Sequence, residues 1–242
     1  MDPEILYEDN HVIAVNKPSG MLTQGDRSGD PCLLDRIREH IKKRDSKPGN
    51  VFVGMVQRLD RPVSGVVLFA KTSKAARRLS ERIKKREITK GYLALTEFDG
   101  DNDHCWSEWY ERRDQLVRKG AKTYISPQVV DGSKKAELRL KTLHVGKSHA
   151  LHQVQLVTGR KHQIRAQLAY TGIPISGDRK YGSLENFPVS RGIGLHAYYC
   201  SVDHPVKGER LEIVASLPDA LLHPFNHDEK NLIAALLKDG FV

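Results

Sequence analysis

Short apolar runs rich in β-branched and aromatic residues recur along all 242 residues of the chain, and they constrain the fold more than any other feature. The runs are Glu4–Tyr7, His11–Val15, Val66–Ala70, Tyr92–Thr96, Trp106–Arg112, Ala136–Val145, Leu151–Val157, Leu195–Val202 and Leu211–Ala215. Apolar and polar residues alternate in Ala136–Leu140 and Val154–Leu156, as is typical of half-buried antiparallel strands. Because the runs do not alternate strictly with helical segments, the sequence predicts an α+β fold built on an extended mixed or antiparallel sheet.

Helices are fewer, and apolar residues at helical spacing or capping residues mark them in four places. They are Cys32–Arg44, a segment from Ser73 onward with Ser73 as its N-cap, about Gly159 to Tyr170 with Thr158 as cap and Gly172 as end, and Glu229–Lys238. The acidic segment 97–104 is predicted to be a loop. Since no internal repeat or long Pro/Gly/Ser linker interrupts the chain, residues 1–242 are predicted to form a single domain.

The excess of positive charge favours a polyanionic partner. The 39 lysines and arginines outnumber the 30 acidic residues, giving a formal net charge of +9 and a pI near 9.4. Nucleic acid is the first candidate, although a well-solvated basic surface without a partner would give the same totals. Much of the excess lies in residues 71–90, where nine lysines and arginines stand against two glutamates. Since charged helices are usually solvated, both interpretations stay open on composition alone.

The cysteines and the N-terminus favour a cytoplasmic protein. Cys32, Cys105 and Cys200 are odd in number and far apart, so neither a disulfide framework nor a zinc site is indicated. The first residues lack the basic and apolar regions of a signal peptide. No apolar stretch approaches the roughly 18 residues of a membrane span, so no membrane association is expected.

The sequence offers no metal or cofactor motif. Residues 146–148 resemble the end of a phosphate-binding P-loop, but its first glycine would fall on Lys141. Gly192 and Gly194 lack the third glycine and the preceding strand of a dinucleotide site. The histidines include no HExxH pair. We therefore expect neither a catalytic metal nor a bound cofactor.

One carboxylate stands out at the entrance to an apolar strand. Asp60 lies between Arg58 and Arg61 in the segment Gln57–Gly65, which directly precedes the predicted strand Val66–Ala70. Nearby positive charge favours the ionised carboxylate, which can act as a nucleophile or a base. The alternative is a structural ion pair in a turn that leads into the strand.

A second cluster lies where the third helix is predicted to begin. Arg160, Lys161, His162 and Arg165 bring positive charge to a helix N-terminus, where it opposes the helix dipole. Their presence is explained if a phosphate or carboxylate binds there, and the alternative is a solvated basic turn. His162 and Arg165 are three residues apart and are predicted to share one face.

The third cluster joins the basic segment 71–90 to the strand that begins at Tyr92. Lys84, Lys85 and Arg86 are predicted at the end of the second helix, where they would contact the phosphates of a nucleic acid. Tyr92 offers a flat ring for stacking a base. The alternatives are a solvated helix face and a core tyrosine whose hydroxyl is hydrogen-bonded.

Taken in order, these motifs resemble those of the RluA-type RNA pseudouridine synthases over essentially the whole chain. The matching segments are Val15–Met21, Gln57–Gly65, Lys90–Tyr92, Thr158–Arg165, Gly177–Gly182, Leu195–Ala197 and His204–Pro205. The family usually has histidine at the position of Gln57, so we expect altered RNA contacts there with the chemistry retained. Many relatives also carry an N-terminal S4 RNA-binding domain, which is not expected here because the motifs begin near residue 11.

The resemblance implies a fold and a set of residue roles. The implied fold is a mixed, largely antiparallel sheet flanked by helices and loops, with the active site in a central cleft. Asp60 would be the catalytic carboxylate, Arg165 would pair with it, and Tyr92 would lie against the target base. Arg58 would enter the RNA stack where the uridine leaves it. The residues predicted to bind RNA are Gln57, Arg58, Arg61, Lys84, Lys85, Arg86, Arg160, Lys161 and His162.

The implied activity is an intramolecular transfer in structured RNA, an rRNA or tRNA stem-loop. It breaks the C1′–N1 bond of uridine and joins C5 to C1′, with no cofactor, metal or obligate protein partner. One alternative is a non-catalytic RNA-binding protein with the same fold, against which the presence of both Asp60 and Arg165 argues. Another is a different glycosyl-transferring or hydrolysing enzyme acting on nucleosides, which differs in whether uracil stays attached to the RNA.

Overall fold

The computed structural model describes residues 2–97, 105–238 and 240. The strands are β1 (Glu4–Glu8), β2 (Val12–Lys17), β3 (Gly54–Met55), β4 (Ser64–Ala70), β5 (Ile88–Glu97), β6 (Tyr110–Lys119), β7 (Lys122–Ser126), β8 (Lys134–Val145), β9 (His149–Leu156), β10 (Leu195–Asp203) and β11 (Arg210–Val214). The helices are α1 (Leu33–Arg44), α2 (Ser73–Lys84), α3 (Gln163–Tyr170), α4 (Asp219–Leu222) and α5 (His227–Lys238), with a 3-10 turn at Arg179–Tyr181.

Internal contacts divide the chain into two compact units. Unit 1 comprises Met1–Thr89 with Ala197–Ser216, and unit 2 comprises Lys90–His196 with Leu217–Val242. The single domain predicted for residues 1–242 stays a prediction. None of the helices in the described ranges is long and apolar enough to cross a membrane.

Unit 1 is a sheet covered on both faces. β2 pairs antiparallel with β1 and β4, β3 adds to β4, and β10 pairs antiparallel with β11. Successive residues of a strand point to opposite faces, so β2 and β4 contribute to two cores. One core contains Ile13, Val15, Val67 and Phe69 with Leu33, Ile37 and Ile41 of α1, and the other contains Val12, Ala14, Val66 and Leu68 with Ala75 and Leu79 of α2. Burial on both faces explains the unbroken apolar run of β4.

The turn that carries Asp60 lies on the α1 side of this sheet. Leu59, the residue before Asp60, packs against the core that α1 covers. The basic helix α2 covers the opposite face. Leu59 and the basic helix α2 therefore lie on opposite faces of the sheet in unit 1.

Unit 2 is an antiparallel sheet in the order β5-β9-β8-β6-β7, with α3 packed on one face. Ala136 of β8 packs against Ala166 of α3. Leu140 lies on the same face as Ala136, since the two are four residues apart, and it is opposite Val154 of β9. Val154 is in turn opposite Tyr92 of β5. Tyr92 therefore lies on the face of the sheet that α3 covers.

The predicted α+β class with a mixed, largely antiparallel sheet is confirmed, and several boundaries are corrected. The cap of α2 is Thr72, whose hydroxyl accepts the N–H of Ala75 at 3.2 Å, instead of Ser73. Strand β6 begins at Tyr110 rather than Trp106, and β3 and β7 were not predicted. The loop predicted over 97–104 lies outside the described residues apart from Glu97.

The start of α3 differs most from its prediction. The helix begins at Gln163, four residues after the predicted Gly159, and its N-cap is His162 in the left-handed conformation rather than Thr158. The side chain of Gln163 is the physical reason. Its Oε1 accepts the N–H of Arg160 at 3.0 Å and the hydroxyl of Thr158 at 2.8 Å, which holds the preceding residues in a turn.

Candidate active site

The backbone around Asp60 is fixed by hydrogen bonds to a neighbouring loop. The hydroxyl of Thr23 donates to the Leu59 carbonyl at 2.9 Å and accepts the Leu59 N–H at 3.2 Å. Ser19 donates to the Pro62 carbonyl at 2.6 Å, and the N–H of Val63 donates to the Asp60 carbonyl at 3.1 Å. The side chain of Asp60 is partly exposed. The turn thus presents a carboxylate from a rigid backbone, as a reacting group requires.

The two arginines beside Asp60 have different environments. Arg61 forms an ion pair with Asp30 at 2.5 Å and donates from Nε to the Gly20 carbonyl at 3.0 Å. These bonds connect the turn to the loop that follows β2, so Arg61 has a structural role whether or not it also binds RNA. Arg58 is exposed and Gln57 is partly buried. Both lie within three residues of Asp60, and their RNA contacts stay predictions.

The glycine that follows the Asp60 turn, Gly65, is required by its backbone conformation and by a close neighbour. Its φ is +111°, a conformation that side-chain-bearing residues rarely adopt. A Cβ at this position would lie 2.2 Å from the carbonyl oxygen of Ala197 in the same unit. Strand β4 therefore needs a glycine at its start to approach Ala197 this closely.

Lys17 is a buried residue whose role was not predicted. Its side chain is fully buried, and its Nζ donates to the carbonyls of Pro18 at 3.0 Å, Met21 at 2.8 Å and Arg61 at 3.1 Å. Three acceptors match the three N–H donors of an ammonium group. Burial lowers the pKa of Lys17 to about 7, while the negative charge of Asp60 opposes the shift and the positive charge of Arg61 adds to it. Lys17 thus connects the β2 loop to the Asp60 turn.

This burial predicts how stability depends on pH. The pKa of Lys17 falls from 10.5 to about 7 on folding, so the unfolded chain binds more protons between these values. The free energy of unfolding should therefore rise from pH 7 to pH 9, by at most about 1.4 kcal/mol per pH unit from this group. Urea unfolding across this range should show the rise in the wild type and lose it in Lys17→Met. A Lys17→Met protein with the same slope as the wild type would assign the rise to other groups.

In unit 2, Arg165 forms a buried ion pair with Asp178. Its Nε donates to Oδ2 at 2.6 Å and its Nη2 to Oδ1 at 2.8 Å. Only 6% of the Arg165 side chain and 1% of the Asp178 side chain are exposed. A buried guanidinium requires such a partner, and the two parallel bonds fix its plane. Asp178 was not predicted as a site residue, although it lies in the motif Gly177–Gly182.

Tyr181 connects this ion pair to His162. The Arg165 guanidinium lies 5.0 Å from the centre of the Tyr181 ring. The Tyr181 hydroxyl accepts the N–H of Thr123 at 2.9 Å and lies 2.9 Å from Nδ1 of His162. Burial raises the pKa of Tyr181, although the N–H of Thr123 and the charge of Arg165 oppose the shift. The hydroxyl therefore stays protonated at neutral pH and can donate to His162. Arg165 and His162 both contact Tyr181, but His162 precedes the helix in the left-handed conformation, so the helical face predicted for the two residues stays a prediction.

The remaining predicted residues of unit 2 differ in exposure. Arg160 and Lys161 are exposed in the turn before α3, whereas His162 is buried and Tyr92 is 8% exposed. Tyr92 and Arg165 both lie on the side of the sheet that α3 covers. Direct RNA contact is therefore easier for Arg160 and Lys161 than for His162, whose role as an RNA ligand stays a prediction.

The cations at the end of α2 lie where they were predicted. Lys84 is the last residue of the helix and Lys85 is its C-cap. Arg86 follows with a φ of +62°. All three are exposed, and they belong to unit 1. The described residues contain no group of three or more His, Cys, Asp or Glu placed to hold a metal ion.

Comparison with known proteins identifies the family. The family model described as RNA pseudouridylate synthase matches residues 11–170. The chain is 34% identical to the tRNA pseudouridine synthase C of Yersinia pestis, over 88% of this chain and 85% of that protein. It is 31% identical to the ribosomal large subunit pseudouridine synthase C of the same organism, over 90% of this chain and 67% of that protein.

A solved structure supports the same family. The human RNA pseudouridylate synthase domain containing 4 superposes with a TM-score of 0.74 at 25% identity, covering 91% of this chain and 92% of that one. The matched range includes Asp60, Tyr92 and Arg165, for which the resemblance implies catalytic roles that stay predictions. The chain therefore belongs to the RluA-type family of RNA pseudouridine synthases.

Proposed function

We propose that this protein converts uridine to pseudouridine in structured RNA and that Asp60 is its catalytic carboxylate. The observation that carries the proposal is the partly exposed Asp60 on a turn held by Thr23 and Ser19, inside the segment that matches the family. RNA labelled with tritium at C5 of uridine tests it. Joining C5 to C1′ expels the C5 hydrogen, so the purified protein should release tritium into water.

Two routes are open to this carboxylate. Asp60 can attack C1′ and displace the uracil by breaking the C1′–N1 bond, after which the rotated base forms the C5–C1′ bond and releases Asp60. Alternatively, Asp60 removes the proton from C2′ as the uracil leaves, giving a glycal. C5 then adds to C1′ while the protonated Asp60 returns a proton to C2′. In both routes the bond to N1 breaks, the bond to C5 forms, and the C5 proton is lost to solvent while N1 gains one.

We further propose distinct roles for Arg165 and Tyr92. Arg165 would pair with the carboxylate of Asp60, and Tyr92 would lie against the displaced base. Asp178 holds Arg165 through its Nε and Nη2 atoms. Asp178 would then be a positioning residue, because it acts on the reaction through the guanidinium.

The substrate we propose is a stem-loop of rRNA or tRNA in the cytoplasm. The similarity to one synthase named for tRNA and another named for the large ribosomal subunit supports this class of substrate. A uridine must leave its stack before C1′ is reached, at a cost of a few kcal/mol. The exposed Arg58 beside Asp60 would fill the space that the uridine vacates.

The end of α2 gives a prediction about RNA binding. We expect reversal of charge at Lys84, Lys85 and Arg86 to weaken RNA affinity and to flatten its dependence on salt. Each phosphate that the protein no longer binds should reduce the slope of log affinity against log salt by about 0.7 to 0.9. Single-turnover conversion at saturating RNA should stay near the wild-type rate. These residues belong to α2 and its C-terminal end, and α2 covers the face of unit 1 opposite to Leu59, the residue that precedes Asp60.

Titration of a labelled stem-loop at three salt concentrations measures both effects. A triple variant with wild-type affinity and slope would show that α2 is a solvated surface. The RNA would then contact other cations, of which Arg160, Lys161, Arg179 and Lys180 are the nearest in sequence to Arg165 and Asp178.

A further inference from the structure

Three separate segments of unit 2 meet beside the Arg165–Asp178 pair. They are the β6–β7 hairpin, the turn before α3 and the 3-10 turn at Arg179–Tyr181. Lys180 donates from Nζ to the Ala121 carbonyl in the hairpin at 2.7 Å. The hydroxyl of Thr123 donates to the Lys161 carbonyl at 3.0 Å, and the N–H of Thr123 donates to the Tyr181 hydroxyl at 2.9 Å. The hairpin is therefore bonded to both other segments.

The meeting of these segments concentrates positive charge. We call their lysines and arginines the hairpin cluster: Arg118, Lys119, Lys122, Arg160, Lys161, Arg179 and Lys180. Six of the seven are exposed, and Lys122 is partly exposed. Residues 116–130, 157–165 and 179–183 contain no aspartate or glutamate.

Asp178 and Glu137, two of the carboxylates beside these segments, are bonded to other cations. Asp178 is paired with Arg165, and Glu137 forms ion pairs with Lys135 and Arg113. Like charges held together destabilise a folded surface by mutual repulsion. A polyanion that binds there would remove the repulsion, so the cluster favours a ligand with several regularly spaced phosphates.

An exposed aromatic ring lies within the cluster. The ammonium of Lys122 is 5.3 Å from the centre of the Tyr124 ring and 5.1 Å from the centre of the Tyr181 ring. Tyr124 is 43% exposed, whereas Tyr181 is buried. A flat ring beside phosphate-binding cations suits a nucleic acid, because every base has a face that can stack on it.

We propose that the hairpin cluster binds the phosphates of the substrate RNA. The proposal rests on the function proposed above and names the surface by which RNA is held. It assigns an RNA-binding role to Arg118, Lys119 and Lys122, which were not predicted from the sequence to contact RNA. Because Tyr181 contacts both Thr123 and Arg165, the bound strand would lie one side chain away from the Arg165–Asp178 pair.

The test variant is Arg118→Glu/Lys119→Glu, which reverses two exposed cations at the hairpin tip. The matched control is Lys147→Glu/Lys230→Glu, which has the same change in charge. Lys147 follows the opposite end of β8, and Lys230 lies in α5, where Glu229 bonds to His144 of β8. The hairpin lies near the other end of β8, because Leu116 of β6 pairs with Lys134, the first residue of β8. The control therefore changes the charge of unit 2 at the end of β8 that is far from the hairpin.

Affinity for a labelled RNA stem-loop should be measured for each protein at three salt concentrations. We expect the hairpin variant to lose at least about ten-fold in affinity near 0.1 M salt. Its slope of log affinity against log salt should fall by about 0.7 to 0.9 for each phosphate that it no longer binds. The control should keep the wild-type slope. Circular dichroism and urea unfolding establish that both variants are folded, and the milder Arg118→Gln/Lys119→Gln should show a smaller effect in the same direction.

Equal losses in the hairpin variant and the control would overturn the proposal, because the effect would then reflect net charge alone. Unchanged affinity and slope in a folded hairpin variant would also overturn it. So would a hairpin variant that binds RNA normally but loses binding to polyglutamate, since the partner would then be an acidic protein. Loss of RNA affinity in the hairpin variant, together with a wild type that releases no tritium, would contradict the catalytic proposal and leave this one standing.

Discussion

Replacing Asp60 with asparagine is expected to abolish pseudouridine formation while RNA affinity changes by no more than a few-fold. The amide keeps the shape of the side chain but can neither attack C1′ nor accept the 2′ proton, so both routes are blocked. Tritium release from RNA labelled at C5 of uridine should fall by more than about a thousand-fold, which corresponds to about 4 kcal/mol of transition-state stabilisation.

Asp228→Asn is the matched control for this change. Asp228 is an exposed carboxylate in the first turn of α5, and its replacement should leave the rate unchanged. An Asp60→Asn protein that retains more than about a thousandth of the wild-type rate would exclude Asp60 as a nucleophile or essential base.

Breaking the Arg165–Asp178 pair should have the second largest effect. Asp178→Asn leaves the guanidinium of Arg165 buried with a neutral partner, and losing one member of a buried pair costs about 3 to 5 kcal/mol. Pseudouridine formation should fall as well, because the amide no longer fixes the plane of the guanidinium. Urea unfolding and tritium release measure the two effects separately.

The exposed pair of Asp35 and Arg38 supplies the control. Its atoms are 3.0 Å apart on the surface of α1, and Asp35→Asn should change stability by at most about 1 kcal/mol. Adding Arg165→Met to Asp178→Asn should recover part of the lost stability without activity, because the substitution removes the buried charge that had lost Asp178, and with it the proposed partner of Asp60. Equal stability of Asp178→Asn and the wild type would contradict the structural role of the pair.

The sequence predicts the central strands and helices of this fold well because burial alone determines them. Strand β4 is buried on both faces, so its unbroken apolar run is visible without any knowledge of its partners. The amphipathic faces of α1 and α2 are equally local. Strand β7 was not predicted because its five residues gain their stability by pairing with β6 rather than from their own apolar content.

The sequence predicts those residues of the candidate site that belong to a recognisable motif. It misses those whose role depends on a contact with a residue far away in the chain. Asp60 stands out because it is a carboxylate between arginines. Lys17 does not stand out in the sequence, because its structural role comes from a hydrogen bond to the carbonyl of Arg61, 44 residues away. Asp178 likewise gains a role only because the fold brings it to Arg165. The start of α3 was mispredicted because a single side chain, Gln163, holds the preceding turn.

The most direct test of the central claim follows the mass and the composition of one RNA. A purified stem-loop should be incubated with the protein, and its intact mass, its nucleosides after digestion and any free uracil should be measured. The account predicts an RNA of unchanged mass in which pseudouridine has replaced uridine one for one, with no uracil released and no conversion by Asp60→Asn. Released uracil with an abasic RNA would identify a glycosidase instead, and unmodified RNA bound tightly by the wild type would identify a non-catalytic RNA-binding protein.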